Sequence, residues 1–284
     1  MTITTREIET NGMKFRIREA GRSGEPVLLL HGFPETSRMW VELMPKLVEA
    51  GYRCVAPDQR GYSPNARPEG IDAYKTENLV ADAFAVADAC GFGTFHLVAH
   101  DWGAGVGWRM VHANPGRIAS YASLSIPHPA SFGRAFRDDP EQQQRSQYIV
   151  FFQQPGAAEE MLLANDGAAL AGIWDKHSPD EVAELVAHFK QPGALTAAIN
   201  WYRASFGAAG GATVQDEFEV TTPTLLVWGN QDTAVGPATL KTHDQYMKGP
   251  NKFVELTAGH WLVQEAFDDV RREVVAHLKA FPVA

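Results

Sequence analysis

The sequence predicts an α/β protein: a mostly parallel sheet with helices on both faces, interrupted after its sixth strand by a helical insertion. Three observations carry this. Short apolar runs alternate with longer amphipathic ones over residues 1–126, and the pattern returns over 222–284. From Val27 onward the apolar residues of the short runs are consecutive rather than alternating, as in strands buried on both faces. Between 127 and 221 the strand pattern gives way to helical spacing.

Taken in order, strands are expected at Ile3 to Glu9, Lys14 to Arg18, Val27 to His31, Arg53 to Pro57, Phe95 to His100 and Ile118 to Leu124. Helices are expected at Ser37 to Ala50, Thr76 to Cys90 and Gly103 to Asn114. Within the insertion Glu181 to Phe189 is the clearest helix, with Val182, Leu185, Val186 and Phe189 on one face. The Gly- and Ala-rich stretch Ala204 to Val214 is expected to be a loop. After Pro223 come a strand at Thr224 to Trp228, a helix near Pro237 to Met247, a strand at Phe253 to Leu256 and a closing helix at Glu265 to Ala280. The division is therefore a core of residues 1–126 and 222–284 and a helical cap of 127–221, with no internal repeat.

The bulk numbers exclude several classes of function. A chain of 284 residues with 45% hydrophobic and 21% charged residues is ordinary for a globular protein. The net charge of −9 repels phosphate backbones and anionic lipid surfaces, which argues against nucleic-acid and membrane partners. No apolar run reaches the roughly 20 residues needed to span a bilayer. The opening residues lack a basic segment followed by an apolar one, so a secretory leader is not expected and the cytoplasm is the simplest address. Cys54 and Cys90 sit in apolar stretches without metal-type spacing and read as inert thiols. The sequence leaves the oligomeric state open, a homodimer being one arrangement.

The chemistry concentrates in Leu97-Val98-Ala99-His100-Asp101-Trp102-Gly103-Ala104-Gly105. A buried strand ends at His100 and a helix begins near Gly103, so Asp101 lies on a sharp strand-to-helix turn flanked by Ala99 and Gly103. Small neighbours permit that turn, which lifts the middle side chain above the sheet edge. Asp-x-Gly alone is also a common helix N-cap. Other strand ends count against so plain a role. His31-Gly32-Phe33-Pro34 closes the third strand, and Phe33 can offer its N–H to a neighbouring site. Trp228-Gly229-Asn230-Gln231-Asp232 and Ala258-Gly259-His260-Trp261 each follow a late strand. An acid and a histidine at the C-terminal ends of strands sit where open α/β sheets place their sites.

With these motifs and Asp58-Gln59-Arg60-Gly61-Tyr62, the chain resembles the α/β-hydrolase superfamily over nearly its whole length, and within it the epoxide hydrolase and haloalkane dehalogenase branch. The resemblance implies a triad of nucleophile Asp101, acid Asp232 and base His260, with the N–H groups of Phe33 and Trp102 forming an oxyanion hole. The insertion contains Tyr148-Ile149-Val150-Phe151-Phe152-Gln153-Gln154-Pro155-Gly156 and Asn200-Trp201-Tyr202-Arg203, which look like lid segments of epoxide hydrolases. Carried over by motif, Tyr148 and Tyr202 would hold the epoxide oxygen. Pro34, Trp201, Phe152 and His128 are the candidates for further substrate contact, although Phe152 and Trp201 also read as lid packing and His128 as a structural hinge.

A carboxylate nucleophile suits displacement at a saturated carbon, where it forms an ester with the substrate, better than attack on a carbonyl. The expected substrate is a small apolar epoxide, with water as co-substrate and no cofactor or metal. Haloalkane or haloacid dehalogenation with the same Asp is the alternative, and a non-catalytic ligand cup on the same fold is a third reading. Against dehalogenation, Phe33 stands where that branch often has Asn, and no arginine clamp follows Asp101. Gly103-Ala104-Gly105-Val106-Gly107-Trp108 lacks the last glycine of a dinucleotide fingerprint. His96 and His100 lack a third metal ligand.

Overall fold

A computed structural model describes residues 2–206 and 217–283. Eight strands form one sheet in the order β1-β2-β4-β3-β5-β6-β7-β8. They are β1 (Thr4–Thr10), β2 (Met13–Ala20), β3 (Glu25–Leu30), β4 (Tyr52–Pro57), β5 (Phe95–His100), β6 (Ile118–Leu124), β7 (Thr224–Gly229) and β8 (Asn251–Leu256). β2 pairs antiparallel with β1 and β4, and every other pairing is parallel. The β1–β2 hairpin turns on Asn11 and Gly12, both with positive φ (49° and 73°), the two-residue connection that suits strand twist.

Helices cover both faces because alternate strand residues point to opposite sides. Leu28, Leu30, Leu97 and Ala99 pack with α2 (Thr76–Ala89) and α3 (Trp102–Ala113). Val27, Leu29, Val98 and Ala122 pack with α1 (Leu43–Glu49) and α11 (Phe267–Ala280). Between β6 and β7 run α4 (Pro129–Asp138), α5 (Pro140–Arg145), α6 (Gln147–Phe152), α7 (Ala157–Ala171), α8 (Pro179–Phe189) and α9 (Ala194–Ser205). Backbone at Ala164, Asn165, Asp166 and Gly167 is non-helical and divides α7 in two. Leu162, Phe189 and Trp201 of these helices join the same apolar cluster as the α2–α3 face, so they lie over that side of the sheet.

Several element boundaries differ from expectation. Ser37 to Ala50 is a 3-10 turn at Ser37–Trp40 followed by α1, because Pro45 has no N–H to donate and sits only in a helix's first turn. Pro237 to Met247 forms two short 3-10 turns, Pro237–Leu240 and His243–Tyr246, broken where Thr242 bonds to Ser131 of α4. The closing helix starts earlier, as α10 (Leu262–Glu265), and restarts at α11 after Ala266. Of the expected loop Ala204 to Val214, Ala204 and Ser205 end α9, and residues 207–214 lie outside the described residues.

Candidate active site

β3 has β4 on one side and β5 on the other, so the loops leaving β3 and β5 diverge and open a crevice above the sheet. Asp101 stands there at φ 51°, ψ −124°, backbone that a non-glycine residue rarely adopts. Packing holds the turn in place. A Cβ on Gly103 would lie 2.4 Å from the Leu30 carbonyl oxygen, so only glycine lets α3 start this close to β3. A Cβ on Gly32 would lie 2.2 Å from Asp101 Oδ1, so Gly32 makes the space that the carboxylate occupies. The Phe33 N–H donates to Asp101 Oδ1 at 2.7 Å, and the Trp102 N–H faces the same carboxylate. Burial works against charge on Asp101, but His260, then His100 and the Trp102 N–H, hold its carboxyl below the usual range.

The acid and base meet it from the other side. Asp232, 2% exposed, takes N–H bonds from Ala234 (2.8 Å) and Val235 (2.9 Å) on Oδ1. Its Oδ2 lies 2.8 Å from His260 Nδ1, and His260 Nε2 lies 3.6 Å from Asp101 Oδ2. Burial disfavours the imidazolium, yet Asp232 and Asp101 outweigh it and push His260 up to about 10. His100, buried behind the elbow, places its Nε2 2.8 Å from the His260 carbonyl oxygen and so braces the histidine loop.

A cavity of about 590 Å³, typical of small-molecule sites, opens over Asp101. Trp102, Tyr148 and Tyr202 share its wall with Asp101. The tyrosine rings meet edge to face, centroids 6.0 Å apart, and their hydroxyls are hydrogen-bond partners. The Trp102 indole is a second partner of the Tyr202 hydroxyl. Tyr148 keeps 36% of its surface accessible, although its hydroxyl faces the Asp101 side of the cavity. Burial, then the nearby carboxylates, raises Tyr148; burial, then Tyr148 and Asp101, raises Tyr202. Both therefore stay protonated and can donate.

A carboxylate on the elbow after β5 thus faces a cavity and a His–Asp pair. The family model for the alpha/beta hydrolase fold matches residues 25–267. The chain belongs to that family. Its relatives include the AB hydrolase superfamily protein YfhM of Bacillus subtilis (strain 168), 33% identical over 96% of each chain. Epoxide hydrolase A of Mycobacterium tuberculosis is 31% identical over 97% of each chain. Among solved structures, a mutant of an epoxide hydrolase from Bacillus megaterium superposes with a TM-score of 0.88 at 26% identity, over 96% of this chain and 100% of that one. Epoxide Hydrolase A from Mycobacterium thermoresistibile gives 0.84 at 29% identity, over 100% of both chains. The chain is thus an epoxide-hydrolase-like α/β hydrolase.

Pro34, Phe152, Trp201 and His128 stand around this cavity as follows. Pro34 is buried in the turn after β3. Phe152 is wedged behind the tyrosines, with ring centroids 5.0 Å from Tyr202 and 5.4 Å from Phe33. Trp201 points into the core and donates its indole N–H to the Arg60 carbonyl at 2.9 Å. His128 accepts the Ala130 N–H at the start of α4 and stacks on Tyr246, ring centroids 4.4 Å apart.

Other site residues gave no signal in the sequence. Gln142 of α5, fully buried, donates to the Ala234 carbonyl (2.8 Å) and accepts the Gly236 N–H (2.7 Å), while Arg145 donates to the Asp232 carbonyl (2.5 Å). They lie in the polar run Pro140-Glu141-Gln142-Gln143-Gln144-Arg145, which reads as solvated surface. Glu35, beside the His31-Gly32-Phe33-Pro34 motif, bonds His177 of the α7–α8 connection at 2.5 Å, with both side chains buried. Among the described residues no group of three or more His, Cys, Asp or Glu could hold a metal ion, and no helix is long and apolar enough to cross a membrane.

Proposed function

We propose that this hydrolase opens an epoxide to a vicinal diol through a covalent ester on Asp101. The observation that supports the reading is the presence of the Asp101 carboxylate and the Tyr148 and Tyr202 phenols on the wall of one cavity. An Asp101 oxygen attacks an epoxide carbon and the ring C–O bond breaks. The oxygen leaves as an alkoxide and takes a proton from Tyr148 or Tyr202. Esterification removes the Asp101 charge, one of the two that hold the proton on His260, and the imidazolium returns that proton to the tyrosinate. Neutral His260, oriented by Asp232, then takes a proton from water as the hydroxide attacks the ester carbonyl. The N–H groups of Phe33 and Trp102 face the oxyanion, a contribution of about 3 kcal/mol each. Collapse releases the diol and restores the Asp101 carboxylate and the His260 cation. The helices between β6 and β7 act as the cap that supplies the phenols.

The test is trapping. With a true epoxide substrate, His260→Gln should accumulate alkyl-enzyme, read as added mass on the intact protein and localised to Asp101. No adduct in this variant, with diol still forming in the parent, would reject the two-step scheme. A panel of terminal epoxides and haloalkanes, read by diol and halide release, separates epoxide opening from dehalogenation.

A further inference from the structure

We infer, building on the epoxide-opening reading, that Ser125 is a positioning residue for ester hydrolysis, anchoring the main chain of His260 while its ring takes a proton from water. Ser125 follows β6 directly, is fully buried, and has φ 72°, in the left-handed region. Among the described residues, five other than glycine have positive φ, and Asn11, Asp101, Asn165 and Asp166 are of the types that tolerate it best. Ser125 is the exception, so its surroundings rather than residue preference keep its backbone there. Its N–H donates to the Val227 carbonyl of β7 at 2.8 Å, and its hydroxyl donates to the His260 carbonyl at 3.2 Å.

The His260 carbonyl gathers three donors. Beside the Ser125 hydroxyl it accepts the Leu262 N–H at 2.9 Å and His100 Nε2 at 2.8 Å. Burial pushes His100 down to about 4, so its ring is neutral and carries its proton on Nε2, facing the carbonyl. A carbonyl oxygen has two lone pairs, so three donors mark a point at which the chain is pinned. Side chains at the ends of β5 and β6 thus reach one atom of the base residue itself. The Gly259 and Trp261 N–H groups are held separately by Glu265, at 2.8 and 3.1 Å. Loss of the Ser125 hydroxyl would therefore let His260 shift without releasing its loop. The two steps depend on this pin unequally. During alkylation the Asp101 carboxylate, 3.6 Å from Nε2, attracts the imidazolium from the far side. Esterification removes that charge, and the ring is then held by Asp232 at Nδ1 and by the anchored main chain.

The test compares Ser125→Ala with Ser125→Gly in single turnovers of terminal epoxides, alkylation and hydrolysis being read separately by rapid-quench mass spectrometry of the intact protein. Both variants lack the hydroxyl and only glycine relieves the positive φ, so Ser125→Gly should melt about 2–4 °C above Ser125→Ala. We expect hydrolysis to slow about 10- to 100-fold in both, with alkylation within about two-fold of the parent. In the steady state kcat and KM should fall together and leave kcat/KM nearly unchanged. The pH midpoint of hydrolysis should match that of the parent, because Asp232 still holds Nδ1. Equal slowing of the two steps, or unchanged hydrolysis in Ser125→Ala, would overturn the inference and leave the epoxide reading intact. So would hydrolysis at the parent rate in Ser125→Gly alone, which would trace the defect to backbone strain. If the parent forms no alkyl-enzyme with any of these epoxides, the epoxide reading fails and this inference fails with it.

Discussion

Replacing Asp101 by Asn tests the proton cycle through His260. The carboxylate lies 3.6 Å from His260 Nε2, a separation worth about 4–5 kcal/mol at an effective dielectric of about 20. That equals about 3 pKa units. Because Asp232 stays bonded to Nδ1 at 2.8 Å, His260 should fall from about 10 to about 7 and not below its ordinary 6.5. NMR titration of the His260 ring in the parent and in Asp101→Asn measures the change directly. The neutral amide also imitates the charge of the esterified intermediate, so hydrolysis of the alkyl-enzyme in the parent, followed in a single turnover, should speed up as pH rises through about 7. The sign of the stability effect follows from a raised folded-state value. The His260 contribution to folding is complete below about 6.5 and is lost as pH rises toward about 10. In Asp101→Asn that window shrinks to a narrow one near 7. A midpoint that stays above about 9 in the variant would show that Asp101 does not hold the proton, and the cycle proposed here would be wrong.

Three further outcomes are expected. Tyr148→Phe with Tyr202→Phe should slow alkylation by at least about 100-fold, far more than either change alone, as read by rapid-quench mass spectrometry. An unchanged rate in the double variant would remove the phenols from the reaction. Gln142→Leu leaves the Gly236 N–H and the Ala234 carbonyl without their partner, at about 2–4 kcal/mol of stability in denaturant titration, and should slow ester hydrolysis more than alkylation. Equal slowing of both steps would deny Gln142 a role through Asp232. Gly32→Ala forces a Cβ to 2.2 Å from Asp101 Oδ1 and should cost about 100-fold or more in kcat, since the carboxylate must move by about an ångström. Retained turnover would mean that the observed carboxylate position is not the reactive one.

The sheet was legible in the sequence because β3 to β7 are covered on both faces. Every residue of β5 and β7 is buried, and such strands read as unbroken apolar runs. The hairpin at Asn11-Gly12 carried its own signal in a dipeptide suited to positive φ. Helix ends were less legible. Pro45 sits where a single helix was expected, and its missing N–H rather than hydrophobic spacing decides where α1 begins. Asp101, Asp232 and His260 stood out because each lies at the C-terminal end of a strand, a position the sequence reports. The partners of Asp232 did not stand out. Gln142 and Arg145 belong to a polar run that periodicity assigns to water, and only the packing of α5 against the acid loop reveals that they face inward.

That packing joins the helices between β6 and β7, the cap of the proposed mechanism, to the Asp232 loop. Three contacts tie those helices to loops of the candidate site: Gln142 to the segment after Asp232, His177 to Glu35 in the loop after β3, and the Trp261 indole to the Ile173 carbonyl at 3.0 Å. Each joins a cap residue to a loop that carries, or adjoins, a residue of the site. The same helices bring Tyr148 and Tyr202 to the wall beside Asp101. A shift of the cap would therefore move the proton donors of the first step and the Asp232 loop of the second together. Buried polar partners of this kind are costly to leave unsatisfied, which favours one placement of the cap over nearby alternatives. Alkylation and ester hydrolysis are then expected to share one cap position.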